Sequence, residues 1–365
     1  MKASIVLATS TGGIGTHVAS LVERMPALGV EVEVVSPAET EAQFRFRACG
    51  AGFVPVEIST TPRPGADLAA VQALRRALRD ADVVHTHGLR ATSVTALALG
   101  RRRPGRTPFV ATWHNALLGS GTRRSVLVAL ERLAARRADL TLGASTDLVE
   151  RAARLGAPAA RLLPVAAPVM PPPSRSREEV RAELGLGDRP VVLAVGRLAP
   201  QKNYDVLLDA AIAWRTRSAR PAVVIAGDGP ERARLQRVID AHGLDAQLLG
   251  HRDDVPDLLA AADVYVLTST WEARALVVQE AMRAGVPVVA TAVGGVPELA
   301  GDAAVLVPPA DPAAVAGAVA ELLDHDDRRG ELIRRGRQRA LSWPDEDDTA
   351  RALADVYREL LRDGA

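Results

Sequence analysis

Short runs of β-branched residues alternate with Ala-, Leu- and Arg-rich stretches of helical period along nearly all of this 365-residue chain, and that alternation limits the possible folds more than any other feature. Ile5 to Ala8, Val32 to Val35, Val54 to Ile58, Val83 to His85, Phe109 to Thr112 and Leu140 to Leu142 read as strands, with a helix pattern from about His17 after the first. Alternation of this kind predicts an α/β fold, because parallel strands need long crossovers and helices supply them while covering both sheet faces. The pattern breaks at 164–173, where Pro164, Pro168 and Pro171 to Pro173 read as a semi-rigid linker. A second series follows: strands at Val191 to Val195, Ala222 to Ala226, Gln247 to Leu249, Val264 to Leu267, Val286 to Ala290 and Ala304 to Val307, with helices starting near Tyr204, Glu231, Val277 and Pro312. The chain is also too long for one ordinary core. The expected division is a first Rossmann-like domain over 1–165, a linker over 166–178, a second over 179–343, and a final helix in 344–365 that packs back on the first. Two such halves joined by a linker are expected to form a cleft.

Composition narrows the class. A hydrophobic content of 48% without an apolar run of 18 residues predicts a chain with no spanning helix. The strand pattern begins at once after Met1, and Cys49 is the single cysteine, so a cytoplasmic protein without intrachain disulfides is expected. Charge is uneven: 21 basic against 13 acidic residues through Val165, and 24 against 31 after it. Arg75, Arg79, Arg101 to Arg103, Arg123 and Arg124 crowd the first half, while Asp324, Asp326, Asp327 and Asp345 to Asp348 load the second. A solvated surface explains this simply; the sharper reading is a basic face that meets the inner surface of an anionic membrane or an anionic acceptor. Nucleic acid is a third reading and is not the expected partner, since only 3% of residues are aromatic and no stacking platform or known binding motif is evident.

Two turns have the composition for anions. In the first βα turn, Gly12-Gly13-Ile14-Gly15 offers bare backbone amides at a helix start. It is not the dinucleotide fingerprint, because the third glycine would fall at Val18, and no P-loop is present. After the first strand of the second series comes Gly196-Arg197-Leu198-Ala199-Pro200-Gln201-Lys202. Of 45 basic residues 43 are Arg, so Lys202 marks a place where a compact ammonium is wanted, with Arg197 as a planar partner for phosphate. Further on, Glu272 lies in a loop after a strand and Glu280 lies inside the next helix. The first-turn amides of Leu276 and Val277 would face the same loop, so phosphates on amides and hydroxyls on carboxylates could be held together.

Histidines divide by position. His114 follows Phe109 to Trp113 at a strand's C-terminal end, where ligand-binding residues gather in open α/β sheets. His85 and His87 stand at another strand end and are expected to point to opposite faces, one packing and the other approaching the acceptor.

On these residues the chain resembles the retaining, nucleotide-sugar-dependent glycosyltransferases of family 4, which have the two-domain GT-B fold. The resemblance runs nearly end to end and includes Gly12 to Gly15, Asp82 to Gly88, Ala111 to His114, Gly196-Arg197 with Lys202, Gly227 to Pro230, the Glu272/Glu280 pair and Gly294 to Glu298. It implies that Arg197 and Lys202 bind a donor diphosphate, Glu280 the ribose hydroxyls and Glu272 the hydroxyls of the transferred sugar. It places Gly13, with Gly15, under the diphosphate from the other domain, His114 near the reacting centre, and the nucleotide base at Gly250-His251. His85 and His87 fall on the acceptor side. The implied partners are a nucleoside diphosphate sugar, UDP-linked first and GDP-mannose next, and a small-molecule, glycan or lipid acceptor. Negative charge grows on the leaving phosphate as the sugar becomes oxocarbenium-like, so fixed cations there favour the transition state over the ground state. With no His/Cys ligand cluster in the sequence, no metal or other cofactor is expected. One departure stands out: Ala273-Arg274-Ala275 replaces glycines that usually flank this position in the family, adding two Cβ atoms and a cation at the donor loop. Two alternatives remain, a nucleotide-sugar epimerase and a non-catalytic sugar-nucleotide-binding protein.

Overall fold

The computed structural model of the chain describes residues 1–10, 12–117 and 121–363. Thr11 of the glycine-rich turn and the side chain of Arg123 lie outside the described residues. The chain divides into two compact units, one formed by Met1–Pro168 with Pro344–Ala365 and the other by Val169–Trp343.

In the first unit β1 (Lys2–Leu7), β2 (Glu31–Ser36), β3 (Gly52–Pro55), β4 (Val83–His87), β5 (Phe109–Trp113), β6 (Leu140–Gly143) and β7 (Ala160–Leu162) form one sheet in the order β3-β2-β1-β4-β5-β6-β7. Every pairing is parallel, with Ile5 opposite both Val34 and His85. The chain winds from β1 to one edge and then, through β4, to the other, so the carboxyl ends of β1 and β4 diverge at a topological switch point. β7 has no β-branched run and two of its three residues are exposed, so only its pairing with β6 makes it a strand. The third strand ends at Pro55, short of the expected Ile58, because its partner β2 ends at Ser36, opposite Pro55. The first helix, Gly13–Arg24, starts four residues before the expected His17, directly out of an extended Gly12.

The second unit repeats the plan with β8 (Val191–Val195), β9 (Ala222–Ala226), β10 (Ala246–Gly250), β11 (Val264–Leu267), β12 (Val288–Thr291) and β13 (Val305–Val307), in the order β10-β9-β8-β11-β12-β13. Its switch point lies between β8 and β11. Apolar clusters cover both faces of the sheet, one around Tyr265, Val278 and Met282 and the other around Leu207, Ile225 and Val319. That two-sided burial explains why the strands read as continuous apolar runs rather than as alternating ones. The unit's first helix, Arg177–Glu183, opens on a capping box in which the Ser176 hydroxyl accepts from Glu179 N (3.2 Å) and Ser176 N donates to the Glu179 carboxylate (2.8 Å).

The last helix, Glu346–Asp363, belongs to the first unit. Arg24 pairs with Asp347 (2.7 Å) and Glu346 (3.1 Å), and Tyr357 is fully buried with Val18, Leu21 and Val34. Its segment brings seven acidic and three basic residues, so the first unit carries 24 basic and 20 acidic residues in all. The charge asymmetry read along the chain is therefore halved in the folded unit. Among the described residues no helix is long and apolar enough to cross a membrane.

Candidate active site

Both candidate clusters lie at the switch points. In the second unit the loops that leave β8 and β11 are stitched together: Thr270 N donates to Gln201 O (2.8 Å), Gln201 Nε2 to Trp271 O (2.7 Å), and Thr268 Oγ1 to Lys202 O (2.9 Å). These bonds hold a single 3-10 turn, Pro200–Lys202, which Asn203 closes in a left-handed conformation (φ 48°) that Asn tolerates well. The turn delivers Lys202 Nζ to within 2.6 Å of Glu272 Oε1, and Ser269 Oγ donates to the same oxygen at 2.6 Å. Lys202 and Glu272 side chains keep 21% and 11% of their surface exposed, so the pair is desolvated yet reachable. Small residues make room for it. A Cβ on Gly196 would lie 3.1 Å from Lys202 Cε, and one on Gly294 would collide with the Glu272 carbonyl oxygen. Gly295 N in turn donates to that oxygen at 2.8 Å, which pins the Glu272 backbone from the Gly294-Gly295 turn.

The other residues expected on the donor side differ in their surroundings. Arg197 is exposed and, among the described residues, forms no ion pair, so its guanidinium is available to a ligand. Glu280 sits on the helix Leu276–Ala284, half-buried and without a hydrogen-bond partner among the described residues; burial raises its carboxyl pKa against a smaller opposing pull from Arg283. Leu276 and Val277 open that helix behind Ala275, which provides no side-chain cap for their amides. Gly250 ends β10 in the left-handed region (φ 78°), its carbonyl accepting from Gly227 N at 2.7 Å. His251 beside it is exposed and lies 3.1 Å from Asp253.

The Ala273-Arg274-Ala275 segment adopts ordinary backbone. Neither Ala273 nor Ala275 has a positive φ, Ala275 lying at −68°. The Arg274 side chain is largely buried, and burial lowers its pKa to about 10 against the attraction of Glu298. The other charges that act on it are those of Arg339 and Arg283.

In the first unit the carboxyl ends of β1, β4 and β5 enclose a cavity of about 300 Å³, lined in part by Leu7, Ile14, His87, Trp113 and His114. His87 Nδ1 and His114 Nε2 are 2.9 Å apart with their rings stacked. His17, from the first helix, stands edge-on to both. The expectation that His85 and His87 point to opposite faces is wrong. Their ring centroids are 4.3 Å apart, because residues two apart on a strand share a face and it is Thr86 that points away. His85 is held below the cavity by Tyr357 OH (2.7 Å) and Thr112 Oγ1 (2.6 Å). Burial holds all four imidazoles neutral: the His17 pKa is lowered to about 4 and that of His85 to about 3, and His87 and His114 lie well below 6.5. Gly13 and Gly15 belong to the first helix. Gly15 has a packing reason to be small, since a Cβ there would collide with the Phe44 ring. The sequence reading missed Ser269, Gln201 and Tyr357. Ser269 had a usable signal, as the second of the hydroxyl residues Thr268-Ser269-Thr270 that follow the apolar run of β11, whereas Tyr357 had none.

Two parallel-sheet units with clusters at both switch points define a GT-B protein. The first matches the family "Glycosyl transferase 4-like domain" over residues 12–168, and the second matches "Glycosyl transferases group 1" over residues 176–339. The chain is 31% identical to the D-inositol 3-phosphate glycosyltransferase of Salinispora tropica, over 96% of this chain and 81% of that one. It is 33% identical to the alpha-D-kanosaminyltransferase of Streptomyces kanamyceticus over 191 residues, about half of each chain. Among solved structures, Anabaena HepE in complex with UDP-glucose superposes with a TM-score of 0.81 at 22% identity, covering 98% of this chain and 100% of that one. The chain belongs to the group 1 glycosyltransferases and has their GT-B fold.

Proposed function

We propose that the chain transfers a sugar from a nucleoside diphosphate sugar, UDP-linked in preference to GDP-mannose, to a hydroxyl acceptor with retention of configuration. The observation that carries this reading is the Lys202–Glu272 pair at 2.6 Å in the loops that follow β8 and β11, the first of which also holds Arg197, exposed and in no ion pair among the described residues. Lys202 and Arg197 act on the departing diphosphate, where charge accumulates, and as fixed cations they take the part a bound divalent ion would otherwise play. Glu272, held by Ser269 and by its own backbone, accepts hydrogen bonds from the hydroxyls of the transferred sugar. Glu280 receives the ribose hydroxyls, which would satisfy a carboxylate that has no partner among the described residues. His114 donates to, or accepts from, a substrate hydroxyl as a neutral imidazole. In the retaining step the acceptor oxygen bonds to the anomeric carbon on the face from which the phosphate departs. The leaving phosphate oxygen takes the acceptor's proton, so no protein nucleophile is needed.

Calorimetric titration of UDP-sugars into the wild type and Glu280→Gln tests this reading. Losing two charge-assisted hydrogen bonds should weaken donor binding by about tenfold or more while leaving stability equal or higher, because a desolvated carboxylate is neutralised. Unchanged donor affinity in Glu280→Gln would remove it from the site.

A further inference from the structure

The cavity of the first unit carries two charged side chains on its described lining, and each is already compensated. Arg90, whose side chain is 8% exposed, places Nη2 2.5 Å from Asp67 Oδ1 and donates from Nε to Ser59 O at 3.1 Å. Glu131, 3% exposed, accepts from Arg151 through both oxygens, at 3.0 Å from Nε and 2.5 Å from Nη2. The two lining charges are themselves opposite in sign. The imidazoles of His87 and His114 add no charge near neutral pH. Leu7, Ile14, Trp113 and Leu117 make the rest of the wall largely apolar, with Thr9, Ser10 and Asn115 as uncharged polar groups on the lining.

A phosphate moved into such a space would lose its hydration and, among the described residues, meet no uncompensated cationic side chain on the lining, which disfavours it relative to water. A hydroxylated ring has no such cost: its apolar face can lie on Trp113 and its hydroxyls can reach the polar groups. About 300 Å³ is the low end of small-molecule sites, room for one such ring and part of a second. Taking the transferase reading as given, we infer that this cavity is the acceptor site for an electrically neutral, hydroxylated ring and that it rejects the phosphorylated form of the same ring. The inference separates this chain from the relative named for D-inositol 3-phosphate.

The test compares matched pairs on the full chain: myo-inositol with myo-inositol 3-phosphate, and glucose with glucose 6-phosphate. Binding is followed by ligand-observed NMR without donor, and turnover by release of UDP from UDP-glucose. The neutral member of at least one pair should bind at least 30-fold more tightly than its phosphorylated mate. A phosphorylated ring that binds as well as its neutral mate, or no binding by either neutral ring, overturns the inference. Asp67→Asn removes the counter-charge of Arg90 and should improve binding of the phosphorylated rings at least tenfold; no gain in a variant that folds normally by circular dichroism also counts against it. Donor binding is read separately by titrating UDP-glucose, so a failure there strikes the transferase reading and leaves the ring comparison intact.

Discussion

Replacing Lys202 by Met removes one ammonium and keeps the length of the stem. In the folded chain that ammonium lies 2.6 Å from Glu272 Oε1, with both side chains partly exposed at 21% and 11%. Solvent screening discounts the pair, so its loss should cost about 1–2 kcal/mol of stability, Glu272 retaining its bond from Ser269. For a unit of this size that is a fall of about 3–6 °C in Tm. The catalytic cost should be larger. If Lys202 meets charge that develops only in the transition state, kcat/KM should drop by about 10²–10³, equivalent to about 3–4 kcal/mol. Lys202→Arg keeps the charge but must fit a broad guanidinium where the stem already passes within 3.1 Å of the Cβ that Gly196 lacks. It should therefore retain the stability and lose about tenfold in kcat/KM. The assay is coupled release of nucleoside diphosphate, with Tm measured on the same samples. A loss of less than threefold in Lys202→Met, alongside the expected fall in Tm, would show that the ammonium serves only to neutralise Glu272. Full turnover by Lys202→Arg would show that compactness is irrelevant.

Gly294→Ala should be damaging out of proportion to one methyl group: its φ of 52° suits glycine, and the added Cβ would collide with the Glu272 carbonyl. Displacing that carbonyl breaks its bond from Gly295 N, so donor affinity in a calorimetric titration should fall by about tenfold or more, while Gly317→Ala, in open space on the helix Pro312–Asp324, should change nothing. Acid should weaken the first unit. Since the His17 and His85 pKa values fall from 6.5 to about 4 and about 3, the unfolded chain takes up protons on acidification that the folded one refuses. Their stabilisation is complete above pH 6.5 and is lost as pH falls through the folded values. For His17 the difference is on the order of 3 kcal/mol, so the urea midpoint should drop from pH 7 to pH 4.5, and His17→Asn should flatten that drop.

Much of the fold was legible because parallel strands are buried on both faces and announce themselves as apolar runs: β8, β9 and β11 fall where Val191 to Val195, Ala222 to Ala226 and Val264 to Leu267 predict them. β7 was not, since its strand character comes from its neighbour rather than from Ala160, Arg161 and Leu162 themselves. The candidate donor residues could be picked out for a similar local reason: Arg197, Lys202, Glu272 and Glu280 stand in loops that directly follow strands or in the helix after one. The surroundings of Arg274 were not legible, because its position in the loop is local while the charges that act on it, Glu298, Arg283 and Arg339, come from other elements.

By itself the sequence determined two parallel α/β units and the residue types that gather at their strand ends, because apolar periodicity and short motifs are properties of neighbouring residues. Tertiary structure alone decided that Lys202 meets Glu272 seventy residues away. It also decided that His85, His87, His114 and His17 form one neutral cluster anchored by Tyr357, and that Arg90 and Glu131 arrive at their cavity already paired. Charge compensation and desolvation depend on which distant groups come within a few ångströms, and only the folded chain fixes that.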